Sequence, residues 1–288
     1  MLGDVMQFLA CPHCAAPLTL AAGTVRCERG HVSDVARQGY VSLLPGDARA
    51  GTADTAAMVQ ARADFLAAGH YEPLARRIAQ CAADAIDAAS ADGCVADVGT
   101  GTGYYLSLAL DRLPERAGLA LDISKYALRR AARAHARIGA VACDIWRLLP
   151  VRDASAAVAL SVFAPRNAAE LFRVLPPGGA LIVATPTARH LGELVSALGL
   201  LTVDERKQDR LVQQLSPYFG LAEQHVHEHP LVLTRRHAEA VVGMGPSARH
   251  MQAAVVRRRI AALAQPLRTT ASVTVSVYRP RCPRNSPP

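Results

Sequence analysis

Residues 95–103, Val95-Ala96-Asp97-Val98-Gly99-Thr100-Gly101-Thr102-Gly103, decide the fold. The first half is a short apolar run that suits a buried parallel strand, the second a glycine-rich turn. From Tyr104 to Leu113 the spacing becomes helical. A strand, a glycine turn and a helix bring backbone N–H groups to a crevice at the carboxyl end of a sheet, where a ligand can approach glycine closely. Further on, Leu119-Ala120-Leu121-Asp122 reads as a second strand ending in a carboxylate. That carboxylate can accept both hydroxyls of a ribose.

The glycine spacing discriminates between cofactors. A dinucleotide site needs a third glycine where helix meets strand, and counting from Gly99 and Gly101 that place falls on Tyr104, which is too large. No Lys-Ser/Thr pair follows, which excludes a phosphate-binding P-loop. Asp-x-Gly-x-Gly-x-Gly with a later Asp resembles the S-adenosylmethionine site of the Rossmann-like methyltransferases. Cofactor contacts are then expected at Asp97, Gly99, Gly101, Thr102, Gly103, Asp122 and Ile123. Glycines alone would also fit a tight turn that binds nothing; the two acids at these places argue for a ligand.

A chain of 288 residues has room for one large domain and a small appendage. No apolar run approaches the roughly 18 residues of a membrane span. The N-terminus lacks the basic lead and long apolar segment of a signal peptide. The expected location is therefore the cytoplasm, with no membrane partner. A net charge of +8 favours an anionic partner, nucleic acid first. Seven cysteines, an odd number without a secretion signal, point to a reducing compartment and a metal site.

Three of those cysteines crowd the first 27 residues. Cys11 and Cys14 are spaced so that both sulfurs can reach one ion from a tight knuckle. Cys27 and His31, separated by three residues, can close a tetrahedron around Zn2+. Four protein ligands leave no open position, so the site is structural; His13, inside the knuckle, faces solvent. Between the pairs, Leu18–Leu20 and Thr24–Arg26 fit a β-hairpin turning at Gly23. A piece of about 35 residues has too little apolar core to fold alone, and metal would supply that stability. The run to Leu44 has the pattern of one more strand, followed by a small, polar linker over 46–54.

From Thr55 the spacing of Met58, Ala61, Phe65 and Leu66 predicts a helix, and a second is predicted over Leu74 to Ala89. Here a closer resemblance emerges. C-P-H-C, C-x3-H, DVARQGYVSLLP (34–45), MVQARADFLAAGHYEPL (58–74) and the methyltransferase turn together resemble the 23S rRNA (guanine-N1)-methyltransferases. RRAARAHAR (129–137), VFAPRN (162–167) and VVGMGPS (241–247) are most similar to the branch that confers resistance to tylosin-type macrolides. The resemblance spans residues 8–280. It implies an α/β chain with a zinc ribbon fused to a Rossmann-like methyltransferase, whose sheet has seven mostly parallel strands. It also implies a 23S rRNA hairpin as partner, a guanine as target and a homodimer that frames an RNA cleft. Tyr71, Asn167 and His190 match cofactor contacts of that family, though His190 equally reads as an exposed helix-start residue. In this fold an Asp at the place of Asp144 commonly holds the adenine amino group, with Ile145 and Trp146 available to pack on the ring. The expected organisation is a ribbon over residues 1–45, linker and helices over 46–90, a methyltransferase domain over 91–280 and a disordered tail over 281–288.

Further strands are expected at Gly139–Cys143, Ala156–Val162 and Ala180–Ala184, with an antiparallel pair at Leu221–Val232 and Ser272–Tyr278. A helix over Lys125–Arg137 carries Arg129, Arg130, Arg133 and Arg137, a stripe that reads first as a solvated face and second as a phosphate surface. Arg235, Arg236 and Arg257–Arg259 add charge further on. Cys81, Cys94 and Cys143 read as small core residues.

Methyl transfer is an in-line displacement, so the enzyme must position and desolvate two reactants. Guanine N1 carries a proton and is paired in a duplex, so the base must be unpaired or extracted. The segment after the Ala156–Val162 strand is the expected platform, with Phe163 stacking on the base and Arg166 near O6. No side chain stands out as an obligatory base. A small-molecule methyltransferase and a non-catalytic zinc-ribbon RNA-binding protein are the competing readings. The basic charge and ribbon weigh against the first, the intact glycine turn and Asp122 against the second.

Overall fold

The computed structural model describes residues 1–46, 53–89, 91–200, 207–245, 248 and 251–281. A short helix α1 (Leu2–Val5) and a 3-10 turn (Met6–Phe8) precede the strands β1 (Leu18–Ala21), β2 (Thr24–Cys27) and β3 (Val32–Asp34). β1 and β2 form the expected hairpin, Ala21 pairing with Thr24. Ala22 and Gly23 turn it with φ of 48° and 76°; such left-handed two-residue turns match the twist of the strands they join.

The large sheet begins with β4 (Tyr40–Ser42). There follow α2 (Ala56–Ala67), α3 (Glu72–Ala89), β5 (Cys94–Val98), α4 (Tyr104–Arg112), β6 (Gly118–Asp122), α5 (Lys125–Ala134) and β7 (Ile138–Ala142). Next come β8 (Ala156–Val162), α6 (Ala168–Val174), β9 (Ala180–Pro186), α7 (Gly192–Leu198) and α8 (Lys207–Leu215). β10 (Phe219–Leu233), α9 (Arg235–Gly243), α10 (Ala253–Ala261) and β11 (Leu267–Pro280) complete the chain. The strand order is β10-β11-β9-β8-β5-β6-β7-β4. β4 to β9 run parallel, and β11 and β10 close the sheet antiparallel. This is the Rossmann-like methyltransferase fold, with one strand beyond the expected seven.

The eighth strand comes from the N-terminal segment. Tyr40, Val41 and Ser42 pair with Ala140, Val141 and Ala142. They take up the backbone groups that β7 would otherwise leave open as an edge. The strand is the one the run to Leu44 predicts, and only the docking of the ribbon places it in this sheet. The ribbon and the sheet share one apolar cluster, in which Val5, Leu9, Val25 and Val41 pack with Leu119, Val141 and Val151. The other face of the sheet carries α3, α4 and α5. With both faces covered, β5, β7 and β8 are buried along their whole length, as parallel strands require. Cys81, Cys94 and Cys143 lie in this core. Of the tail expected over 281–288, Arg281 is bonded to the fold, its N–H and Nε donating to the Tyr218 and Phe219 carbonyls at 2.8 and 3.0 Å; residues 282–288, and 47–52 of the linker, lie outside the described residues.

Helix α5 ends at Ala134, three residues before the expected Arg137. The guanidinium of Arg137 instead donates to the carbonyls of Leu113 (2.6 Å), Arg116 (2.5 Å) and Leu110, satisfying the open carbonyl end of α4. Arg137 therefore leaves the stripe. Arg259 does the same for Leu198 at the end of α7 (2.6 Å), while Arg279 ties Ala85 in the last turns of α3 (3.2 Å) to the Gly178 carbonyl before β9 (3.0 Å). Part of the positive charge is thus internal architecture.

Gly139 is where the N-terminal helix sits down on the sheet: a Cβ added there would lie 2.2 Å from Cγ2 of the buried Val5. Gly139→Ala is expected to cost about 1–3 kcal/mol in urea unfolding, as overpacking does. Adding Val5→Ala should restore part of that loss. Full additivity of the two changes would show that the contact does not matter.

Candidate active site and metal centre

A cavity opens at the carboxyl ends of β5 and β8. These strands are neighbours, yet the chain leaves β5 toward β6 on its other side, so the crevice lies where the winding of the sheet reverses. Of the expected site residues, Tyr71, Asp97, Gly99, Gly101, Thr102 and Phe163 line it. Gly99 has φ of 81°, and a Cβ there would meet Cβ of Ala164 at 2.5 Å. Only glycine lets the loops after β5 and β8 close on each other. Gly103 caps the start of α4 with left-handed backbone.

Asp97 is 1% exposed. Its Oδ2 accepts the Thr100 hydroxyl at 2.8 Å, while Oδ1 has no partner among the described residues. Burial pushes its pKa up to about 7, with the Thr100 bond opposing and the nearby Asp122 reinforcing the shift. An orphaned carboxylate oxygen at the cavity wall fits a ligand that brings an ammonium or N–H group. Asp122 accepts Gly101 N–H and Ser124 N–H, both at 2.8 Å. Burial raises its pKa and these two bonds oppose that. Each oxygen keeps a second lone pair for a hydroxyl.

The far wall is aromatic. Phe163 is 39% exposed, holds φ of 54°, and has ring centroids of Tyr71, Tyr105 and His190 at 6.1, 6.4 and 5.8 Å. His190 sits behind Tyr71, its Nε2 3.0 Å from the Tyr71 hydroxyl. Its Nδ1 accepts Ser272 N–H at 3.2 Å. Burial lowers its pKa to about 4, so the ring is neutral. With Nδ1 accepting, the ring proton belongs on Nε2, and His190 donates to Tyr71.

The remaining expected residues stand elsewhere. Ile123, Asp144 and Asn167 are off the cavity wall. Asp144 accepts Trp146 N–H at 3.0 Å, and Asn167 caps α6. Trp146 is exposed. Arg166 is not brought to the cavity: it is buried, its Nε and one Nη have no partner among the described residues, and it lies beside Tyr278 of β11. Of the segment after β8, Phe163 lines the cavity and Arg166 does not. Sequence reading missed Arg62, Tyr104, Tyr105 and Met244 on the wall. Arg62 left a signal: it is a cation on the face that Met58, Phe65 and Leu66 otherwise make apolar.

In the ribbon, ligand atoms of Cys11, Cys14, Cys27 and His31 lie within 4.8 Å of one another. His31 Nδ1 is 3.5, 3.5 and 3.3 Å from the three sulfurs, and Cys14 Sγ is 3.8 Å from Cys27 Sγ. A tetrahedron with Zn–S near 2.3 Å has edges of roughly 3.8 Å. The donor set fits zinc and closes its coordination sphere. His13 is exposed and only stacks on His31, centroids 4.9 Å apart.

The family model "RlmA, N-terminal", a zinc ribbon, matches residues 9–50, and the model "Methyltransferase domain" matches residues 95–179. A putative 23S rRNA (guanine-N(1)-)-methyltransferase of Micromonospora griseorubida is 49% identical, over 96% of this chain and 99% of the relative. The 23S rRNA (guanine(748)-N(1))-methyltransferase of Streptomyces fradiae is 49% identical over 97% and 99%. A solved S-adenosylmethionine-dependent methyltransferase from Geobacter sulfurreducens, in complex with S-adenosylhomocysteine, aligns with 71% of this chain and 91% of its own at 16% identity, TM-score 0.42.

Purified protein is expected to contain about one equivalent of zinc per chain. Cys14→Ser should lower it sharply while leaving cofactor binding nearly intact, because the cluster is built apart from the cavity. Elemental analysis finding no zinc in the unsubstituted protein would contradict the assignment.

Proposed function

The chain belongs to the 23S rRNA (guanine-N1)-methyltransferases, and we propose that the cavity between the β5 and β8 loops is where a guanine of 23S rRNA meets S-adenosylmethionine. The enzyme is S-adenosylmethionine-dependent and its N-terminal segment is a zinc ribbon. The observation that carries the site reading is the cavity at the reversal point, with a glycine turn and an orphaned carboxylate on one wall and aromatic rings on the other. When bound, the cofactor supplies a methyl group on a sulfonium. Asp97 holds its ammonium, Asp122 its ribose hydroxyls, and the turn at Gly99–Gly103 gives it close backbone approach; Tyr71 donates to it, held by His190. Asp144 is assigned to its adenine amino group, and Ile123 and Asn167 to further cofactor contacts, on the family resemblance.

On the acceptor side, Phe163 offers a ring face to an unstacked guanine. The neighbouring rings keep water from the reacting centre, which strengthens every remaining polar contact. Arg166, buried away from the cavity, is read as a support of the loop that carries Phe163 in place of an O6 contact. The ribbon over residues 1–45 and the arginines left on the surface are assigned to the rRNA hairpin. The long edge strand β10 exposes Leu221, Val226 and Val232, which supports a homodimer together with the family resemblance. Among the described residues no helix is long and apolar enough to cross a membrane. A cytoplasmic enzyme that confers resistance to tylosin-type macrolides completes the reading.

Two outcomes are expected. The free Asp97 carboxyl keeps its proton up to about pH 7, and an ammonium ligand needs it ionised. Affinity for S-adenosylhomocysteine should therefore fall about tenfold per pH unit below 7. In Asp97→Asn it should be weaker and flat over that range; calorimetry showing the same slope in both proteins would dismiss Asp97 as the ammonium site. In a methyl-incorporation assay on a 23S rRNA fragment, inosine at the target keeps N1–H and O6 and should be methylated. Adenine, which lacks both, should not, and equal incorporation there would refute the guanine-N1 assignment.

A further inference from the structure

Helix α2 contributes Arg62 and Leu66 to the lining of the cavity. Arg62 lines the wall, and its Nη1 would stand 3.3 Å from a Cβ placed on Gly101, directly over the glycine turn. Three carboxylates surround the same space: Asp97 on the wall, Asp122 under the turn, and Asp54, which pairs with Arg62 Nη1. Arg62 is the only cation among the described residues of the wall. Its other Nη donates to the Met244 carbonyl at 3.1 Å. The side chain is thus held at both tips, with 25% of its surface exposed.

A guanidinium has five N–H groups in a rigid fork, so these two contacts leave donors for a further acceptor. Asp97 lines the same cavity, and its Oδ1 has no partner among the described residues. A carboxylate oxygen and a guanidinium in the lining of one cavity make a dipolar pair. Its complement is an α-amino acid zwitterion, ammonium toward Asp97 and carboxylate toward the arginine.

We propose that Arg62 recognises the α-carboxylate of the cofactor's methionine moiety, and that Asp54 is the positioning residue that keeps its guanidinium over the glycine turn. The inference rests on the reading of this cavity as the S-adenosylmethionine site. The three carboxylates explain why a cation is required: without Arg62, a fourth negative charge would enter a site already rich in them. They also explain why a helix outside the methyltransferase core takes part in the cofactor site. Arg62 ties α2 to the Met244 segment that follows α9, and thus closes the cavity from two sides.

The test compares two ligands on the full-length protein by calorimetry: S-adenosylhomocysteine, and its decarboxylated analogue, which keeps the adenosine, thioether and ammonium. The unsubstituted protein is expected to prefer the carboxylate-bearing ligand by about 10- to 100-fold, as a charge-assisted hydrogen bond implies. In Arg62→Gln that preference should shrink to within about threefold, with the decarboxylated analogue bound almost as before. Arg62→Lys, which keeps the charge, should retain part of it, and serves if the Gln variant does not fold. Unchanged preference in both variants would overturn the assignment, as would equal loss of both ligands in well-folded protein. If the unsubstituted protein binds neither ligand, the cofactor reading of the cavity itself falls; if it binds both equally, only the role of Arg62 does.

Discussion

The carboxylate of Asp122 grips two backbone N–H groups from different loops, Gly101 and Ser124, and the shape of the site depends on that grip. Gly99 and Thr100 in turn both donate to the Leu121 carbonyl, at 2.8 and 3.0 Å. The glycine turn is therefore clamped to the end of β6 from both sides. This keeps its remaining surface open toward the cavity. The Ser124 hydroxyl extends the clamp to the Asp54 carbonyl (2.8 Å), which fixes the start of the α2 region over the same turn. One acid thus organises the floor of the site and, through its neighbour, the approach of Arg62.

The ribbon is tied to this core more intimately than a flexible attachment would allow. β4 is hydrogen-bonded into the large sheet, Leu9 bridges to Val151, and Val5 is packed against Gly139. A zinc cluster stiffens one end of the segment and a shared apolar cluster holds the other. Because β4 lies beside β7, the metal-bound hairpin has a set place on the face of the sheet opposite α3 and α4. A ribbon fixed in this way keeps a set position relative to the cavity, which a tether could not.

The charge balance acquires a different meaning in three dimensions. Arg137 and Arg259 spend their guanidinium groups on carbonyl ends of helices, Arg279 ties α3 to the turn before β9, and Arg173 ties the Leu149 and Val151 carbonyls to Asp153 and Glu170. Carbonyl ends need donors, and arginine supplies several from one side chain. The positive surface available to phosphates is correspondingly smaller than the net charge of +8 implies.

The sequence by itself determined the parallel core, the glycine turn with its two acids, and the metal cluster. Each rests on short-range chemistry: uninterrupted apolar runs for strands buried on both faces, glycine where a backbone must turn left-handed, and sulfur spacing that lets one ion be reached. Tertiary structure decided what depends on distant segments meeting. The eighth strand exists because the ribbon docks on β7, and the local pattern of Tyr40–Ser42 does not distinguish that from a ribbon strand. Phe163 reaches the cavity and Arg166 is buried off it, and the left-handed backbone at Phe163, φ 54°, is one that no sequence period reveals. Arg62 reaches the site from a helix some 35 residues before the turn, and Met244 from about 140 residues after it. Long-range contacts like these follow from how whole elements pack, and spacing along the chain carries no record of them.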